Sequence, residues 1–145
     1  MTFPWDYKVI EREAEFVGYQ SVSPDRHSCI LFFAMNRPMN HEKLMAILKT
    51  GLDVVANCFV PTGDAIFDDD DIGGIACRQT TQRDGMNYVW FGEAYSNNGF
   101  SYVVLVGSND EAKAVDLIAD ILANRFSVTA EASKMSSSRA VPVFQ

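Results

Sequence analysis

The chain has 145 residues, of which 48% are hydrophobic and 21% are charged, and this composition fits a single globular domain. Its net charge of −7 argues against a nucleic-acid partner and against an anionic membrane surface, because phosphate groups are bound by Lys and Arg side chains. No apolar run approaches the roughly 20 residues that span a bilayer, and residues 1–16 lack the pattern of a secretion signal. We therefore expect a cytoplasmic protein.

The N-terminal part of the sequence predicts two strands and a helix. Residues 7–19 alternate in part between apolar and charged side chains, which predicts an edge strand, although "EREAE" favours a helix locally. Residues 28–35, "SCILFFAM", form a continuous apolar run that is typical of a central strand buried on both faces. Apolar residues then recur with a period near 3.6, which predicts a helix over 41–57 with Asn40 as its N-cap. Gly51 weakens the middle of that helix.

The second half of the sequence predicts a loop and then a three-stranded meander. Residues 61–73 read as the loop, and Asp84-Gly85 is typical of a two-residue hairpin turn between the first two strands. The predicted strands are 74–83, 86–95 and 100–107.

A second helix is predicted after the meander. Ser108 and Glu111 have the spacing of a capping box, with Ser108 at the N-cap, and the helix is predicted to end near 125–126. Residues 130–145 lose all periodicity, which predicts a flexible tail after a single domain at 1–129. The predicted apolar face of this helix carries Val115, Ile118, Ile121, Leu122 and Phe126.

These elements predict the order β-β-α-β-β-β-α. Hairpin connections make the meander antiparallel, and each helix has one apolar face that must cover the sheet. The predicted fold class is therefore α+β, with a mostly antiparallel sheet covered by two helices in a layered sandwich.

Three stretches within about residues 28–128 follow a recognisable order of elements: "ILFFAMNRPMNHEKLMAIL", "GGIACRQTTQRDGMNYVWFGEAY" and "GFSYVVLVGSNDEAKAVDLIADILANRFSV". In this order they resemble the PsbP-like superfamily, which includes the Ran-binding Mog-type import factors. The nearest group is a bacterial family of small cytosolic proteins that chaperone type VI secretion effectors. The resemblance implies a non-catalytic scaffold that binds other proteins. In those chaperones the concave face of the sheet, often in a dimer, shelters apolar helices of a client.

The chain shows no pattern of a catalytic or metal site. The three cysteines, Cys29, Cys58 and Cys77, are widely spaced without a CxxC pair, which predicts reduced, buried thiols. His27 and His41 lack the close Cys/His pairing of a zinc site, and no GxSxG motif occurs. We therefore expect no enzyme activity, no catalytic residue, no metal and no cofactor.

Four consecutive aspartates, Asp68 to Asp71, stand before a glycine pair. A calcium loop that began at Asp68 would place Ile72 at ligand position 5 and Gln79 at position 12, and starting one residue later fails in the same way. Three alternatives stay open: a solvated loop, which the sequence favours, an acidic contact for a basic partner, and a cation site. We treat Asp68, Asp69, Asp70 and Asp71 as candidate partner-binding residues.

Aromatic residues on the predicted meander are the second candidate surface. Along strand 86–95, side chains of alternate parity point to opposite faces, and both faces carry large aromatics. If the helices cover only one face, the other is an exposed apolar surface of the kind that contacts a partner; coverage of both faces is the alternative. The candidate partner-binding residues here are Tyr88, Trp90, Phe91, Phe100 and Tyr102.

These observations predict a cytosolic, non-enzymatic protein-binding module. Its most concrete version is a chaperone or adaptor for a secreted effector, which buries apolar groups of its client on the aromatic sheet face. An immunity protein that neutralises a toxin through its acidic surface is one alternative. A small ligand-binding domain or enzyme with a pocket between helix and sheet is another. The expected partner is another protein, and self-association as a homodimer stays open.

Overall fold

The computed structural model describes residues 5–13, 16–69, 73–97 and 99–123, with only the backbone described at 11–13 and 16. Within these residues the chain is an α+β protein with a large antiparallel sheet and two helices, as the sequence predicts at this level. The elements are β1 (Tyr7–Glu13), β2 (Phe16–Val22), β3 (Ser28–Met35), α1 (His41–Ala56), β4 (Val60–Pro61), β5 (Ile66–Asp69), β6 (Ile75–Arg83), β7 (Met86–Ser96), β8 (Ser101–Ser108) and α2 (Glu111–Ala123).

Two antiparallel meanders join side by side to form the sheet. The strand order is β1-β2-β3-β8-β7-β6-β4, and β5 also pairs with β6. The junction between the meanders is the pair of β3 and β8, whose register runs from Ser28 opposite Ser108 to Met35 opposite Ser101. All eight residues of β8 are buried, so this pair lies at the centre of the molecule.

The two helices pack against different sets of side chains on the sheet. Leu44, Leu48 and Leu52 of α1 belong to one core cluster with the odd-numbered residues of β3 and β8, such as Phe33 and Leu105. Ala114 and Ile121 of α2 belong to the other cluster, with even-numbered residues of the same strands. Because alternate residues of a strand point to opposite faces, the helices lie on opposite faces of the sheet.

Helix α1 begins and ends close to its predicted bounds. The Asn40 side chain accepts a hydrogen bond of 2.8 Å from the backbone N–H of Lys43, so Asn40 is the N-cap. Gly51, which weakens the helix on propensity alone, is buried against the sheet. A Cβ atom there would lie 2.8 Å from Leu105 Cδ1, so the missing side chain lets α1 lie close to β8.

The predicted order of elements is wrong at two places, and both involve the edges of the sheet. The single strand predicted over 7–19 is two strands, β1 and β2, because the chain reverses between Glu13 and Phe16. No Gly, Pro or Asn marks this reversal in the sequence. The loop predicted over 61–73 contains the edge strand β5, and β4 ends inside it at Pro61; both are too short to show a periodicity.

Helix α2 differs from its prediction at its first turn. Asp110, not Ser108, is the N-cap, because its Oδ1 accepts from the N–H groups of Ala112 and Lys113. The Ser108 hydroxyl lies instead in a buried pair with Ser28, 2.9 Å apart. The predicted helix end and Phe126, together with the predicted tail at 130–145, lie outside the described residues.

The apolar face of α2 is also shifted relative to its prediction. Val115 is 45% exposed, whereas Ala114 and Ile121 are buried, and Leu117, Ile118 and Leu122 pack against them. The side chains that face the sheet therefore recur at intervals of three and four residues from Ala114, as expected of an amphipathic helix.

The contact between Gly107 and Trp90 gives a test of the packing. A Cβ atom at Gly107 would lie 2.4 Å from two carbon atoms of the Trp90 ring, whereas a Cβ atom at Gly63 would meet nothing closer than 3.5 Å. We expect Gly107→Ala to lower the free energy of unfolding by about 3 kcal/mol, because the buried ring must move. Gly63→Ala is the control and should change it by less than about 0.5 kcal/mol. Urea denaturation measures both, and equal midpoints for the two variants would contradict the packing.

Candidate functional site

The aromatic residues predicted to contact a partner are buried or half-buried in the structure. Tyr88, Trp90 and Tyr102 are 8%, 1% and 1% exposed, and Phe91 and Phe100 are half-buried. They also do not share a face, since Tyr88 and Trp90 belong to the α1 cluster and Phe91 and Tyr102 to the α2 cluster. These five residues therefore form no single exposed aromatic face, and the structure agrees with the alternative that a helix packs on each face of the sheet.

Glu93, a charged residue within the aromatic-rich strand β7, is also buried. Its side chain is 4% exposed, and its carboxylate accepts a hydrogen bond from the Tyr102 hydroxyl. The Tyr102 ring packs against Phe32 and Tyr95, with ring centroids 6.0 Å and 5.9 Å away. Glu93 is thus part of the packed core beneath α2 and does not face solvent.

Two of the four consecutive aspartates fall within the described residues, and both are exposed. Asp68 and Asp69 end β5, and Asp69 Oδ1 lies 3.3 Å from Nε2 of His41 in the first turn of α1. Asp70 and Asp71 lie outside the described residues. In the described part of the chain, no three His, Cys, Asp or Glu side chains gather as metal ligands would.

A cavity of about 340 Å³ opens beside the last turn of α1, where β1 and β2 extend past the helix. We call it the α1 groove. It exists because α1 packs over β6, β7 and β8, whereas β1 and β2 continue the sheet without a helix above them on this face. Its walls and rim are formed by Ile10, Gln20, Cys29, Val54, Cys58 and Phe59.

Trp90 also lines the groove and connects it to the core. Its ring lies over Gly107, and its Nε1 donates a hydrogen bond of 3.0 Å to Thr81 Oγ1. Phe59 packs edge-on against Trp90 with a centroid distance of 5.2 Å, and the Arg83 guanidinium lies 5.3 Å from the Phe59 centroid. These contacts fix the aromatic part of the lining, so the groove is a preformed feature.

The exposed rim of the groove is aliphatic. Ile10 of β1 is 37% exposed and Val54 of α1 is 42% exposed, and they belong to the few large apolar side chains of the described residues that face solvent. Gln20 supplies a side-chain amide among the otherwise apolar and thiol lining. This chemistry favours an apolar occupant over a charged one.

The cysteines differ more in their environments than the sequence suggests. Cys77 is buried and Cys29 is half-buried, but Cys58 is exposed, which corrects the expectation of three buried thiols. Burial raises the pKa of Cys29 to about 11 and the pKa of Cys77 to about 12. Both thiols are therefore protonated at neutral pH and lack the activation of a nucleophile.

A second cavity, of about 380 Å³, lies between Trp5, the turn after β2 and the first turns of α2. The Asp25 carboxylate beside it accepts hydrogen bonds from the Ser23 hydroxyl, at 2.6 Å, and from the His27 backbone N–H, at 2.9 Å. These bonds hold the pKa of Asp25 below its usual value, and Lys113 adds a compensating charge. Asp25 therefore has a structural role in closing the turn.

Comparisons with known proteins give no relative to guide the assignment. No protein-family model matches the chain, no curated protein matches it, and no solved structure matches its fold. The PsbP-like resemblance therefore stays a prediction. Neither described helix combines the length and the apolar character needed to cross a membrane.

The environments of the three cysteines predict a definite order of reactivity. A thiol with a pKa of about 12 has only about one molecule in ten thousand ionised at pH 8, so Cys77 should react very slowly with iodoacetamide. We expect alkylation of Cys58 to be at least about 100-fold faster than that of Cys77, with Cys29 closer to Cys77. Peptide mass spectrometry over time measures the three rates. In 8 M urea the rates should become equal, and equal rates without urea would contradict the described burial.

Proposed function

We propose that this chain is a non-enzymatic protein-binding module whose α1 groove receives apolar side chains of a partner protein. The observation that carries the proposal is the open, aliphatic-rimmed groove beside the last turn of α1. Its volume of about 340 Å³ is about twice that of an engineered 150 Å³ apolar cavity that holds one benzene molecule. The groove therefore has room for about two leucine-sized or aromatic side chains.

The shape of the groove favours an amphipathic helix as the occupant. Ile10 lies on the β1 side and Val54 on the α1 side, so an occupant between them would cover both exposed side chains. Two apolar residues four positions apart on a helix lie on one face and fit a cavity of this size. Covering the rim would remove exposed apolar surface from water, which is the main driving force for association.

The two exposed aspartates at the end of β5, Asp68 and Asp69, favour a partner that carries basic residues next to its apolar face. Asp69 lies by the first turn of α1, and the groove lies by the last. The 16 residues of α1 span about 24 Å, so a partner segment that lies along α1 would contact both ends. The net charge of −7 would steer a basic segment toward the protein.

Within this class, a cytoplasmic chaperone or adaptor for a secreted effector is the version that the PsbP-like resemblance implies. A groove for two apolar side chains supports that version, because a client held before secretion must have apolar segments covered. An immunity protein would depend on the acidic end of β5 more than on the groove. The two versions therefore predict different sensitivities to substitutions at these two places.

A second candidate function follows from the size of the groove. Cavities of roughly 300 to 1,000 Å³ commonly hold small molecules, and the α1 groove lies at the lower end of this range. A small apolar ligand that purifies with the native protein would be released by denaturation and detected by mass spectrometry. Its loss on Val54→Asp would favour this candidate over a protein partner.

Val54 and Val115 provide a matched test of the groove. Both are exposed valines on helices, 42% and 45% exposed, but only Val54 borders the groove. We expect Val54→Asp to weaken capture of the partner from the native host at least about tenfold, since a charge would enter an apolar contact. Val115→Asp should leave capture unchanged. Quantitative affinity purification measures both variants, and equal effects of the two would contradict the groove as the binding site.

The acidic end of β5 provides a second test, which separates the two versions. Asp68→Asn with Asp69→Asn removes two exposed charges, and Asp84→Asn in the β6–β7 turn, with the Asp84 side chain 93% exposed, is the control. For a chaperone we expect a lower association rate at low salt and a small change in affinity. For an immunity protein we expect a large loss of affinity. Surface plasmon resonance at two salt concentrations measures this, and no change at either concentration would show that the aspartates do not contact the partner.

A further inference from the structure

Two thiols of different accessibility border the α1 groove. Cys58 is exposed in the turn that follows α1, and Cys29 is recessed on β3. Both line the same cavity of about 340 Å³. Cys77 does not line this cavity; it lies in the core, where its Sγ would be 2.7 Å from a Cβ atom at Gly92.

Cys29 and Cys58 are each next to a residue that contacts the Trp90 ring. Cys29 stands opposite Gly107 in the β3–β8 ladder, and the Trp90 ring lies over Gly107. Phe59, which follows Cys58 in the chain, packs against the same ring with a centroid distance of 5.2 Å. Burial is the main cause of the raised pKa of Cys29, and the neighbouring Cys58 side chain adds to it.

We propose that Cys58 and Cys29 form a reversible disulfide bond across the α1 groove by exchange with a small-molecule disulfide such as glutathione disulfide. The exposed Cys58 is the attacking thiol, because a disulfide reagent reaches it from solvent. Cys29 is the resolving thiol. Burial raises the pKa of Cys29 to about 11, so the second step is slower than it would be for an exposed thiol.

The exchange proceeds in two steps that balance. The Cys58 thiolate attacks one sulfur of glutathione disulfide, forms a mixed disulfide and releases one glutathione thiolate. The Cys29 thiolate then attacks the Cys58 sulfur, forms the protein disulfide and releases the second glutathione thiolate. The protein thiols lose two electrons and two protons, and glutathione disulfide gains both to become two glutathione molecules. Excess glutathione reverses both steps.

The bond would change the groove directly. It would join β3 to the turn after α1 and place two bonded sulfur atoms across the groove that both residues line. A partner side chain could not enter that space, so oxidation would close the groove. The formation of the bond depends only on this chain, whereas its effect on a partner rests on the proposed function.

The test treats the reduced full chain with glutathione disulfide and maps disulfides by non-reducing peptide mass spectrometry. We expect wild type and the control Cys77→Ala to gain one intramolecular bond between Cys29 and Cys58. Cys29→Ala should stop at the mixed disulfide on Cys58, which accumulates at least about tenfold more than in wild type. Cys58→Ser should remain unmodified at Cys29 over the same time.

Two outcomes would overturn the proposal. Wild type that stops at the mixed disulfide, with Cys29 still a free thiol, would show that the two sulfur atoms do not meet. A bond that appears only between two chains would show the same. The effect on the partner is measured separately, by capture with the oxidised and reduced protein. Cys29–Cys58 oxidation without loss of capture would leave the disulfide established and contradict the groove as the binding site.

Discussion

The pairing of β3 with β8 is the constraint on which the rest of the structure depends. It joins residues that lie 66 to 80 positions apart in the chain, from Met35 opposite Ser101 to Ser28 opposite Ser108. Both strands are apolar on both faces, and every residue of β8 is buried. A strand pair of this kind is stable only if each face is covered, so it requires one helix above the sheet and one below. The hydroxyls of Ser28 and Ser108, 2.9 Å apart, satisfy each other at the buried end of the pair.

Two helices cannot cover eight strands, and this mismatch determines where the molecule is open. On the α1 face, the helix packs over β6, β7 and β8 and leaves β1 and β2 uncovered, which creates the groove. The outer edge of β1 carries its own protection against pairing with other chains, since its register shifts between Val9 and Glu11 and charged residues follow. At the opposite edge, the short strands β4 and β5 cover β6. Within the described residues, the α1 groove is therefore the opening that this mismatch leaves on the α1 face of the sheet.

The sequence predicts the centre of this fold closely and its margins poorly. The bounds of β3 and the turn at Asp84-Gly85 agree with the structure, because a long apolar run and a turn with positive φ at both residues leave few alternatives. The reversal before β2 has no turn residue to mark it, and β4 and β5 depend on pairing with β6 and not on any pattern of their own. The sequence predicts the wrong N-cap for α2 because Ser and Asp are both good caps, and the burial of Ser108 beside Ser28 decides in favour of Asp110.

The α1 groove could not be predicted from the sequence, because the residues that line it come from separate segments of the chain. Its residues come from β1, β2, β3, the end of α1 and β7, and only the sheet topology brings these five segments together. Periodicity identifies Trp90 as a large aromatic on a strand but cannot show that the ring has one side over Gly107 and another on the groove. Because Trp90 belongs both to the core and to the lining of the groove, substitutions at the floor of the groove would alter stability and binding together. The rim residues Ile10 and Val54 make no comparable contribution to the core, so binding specificity can change there while the fold is maintained.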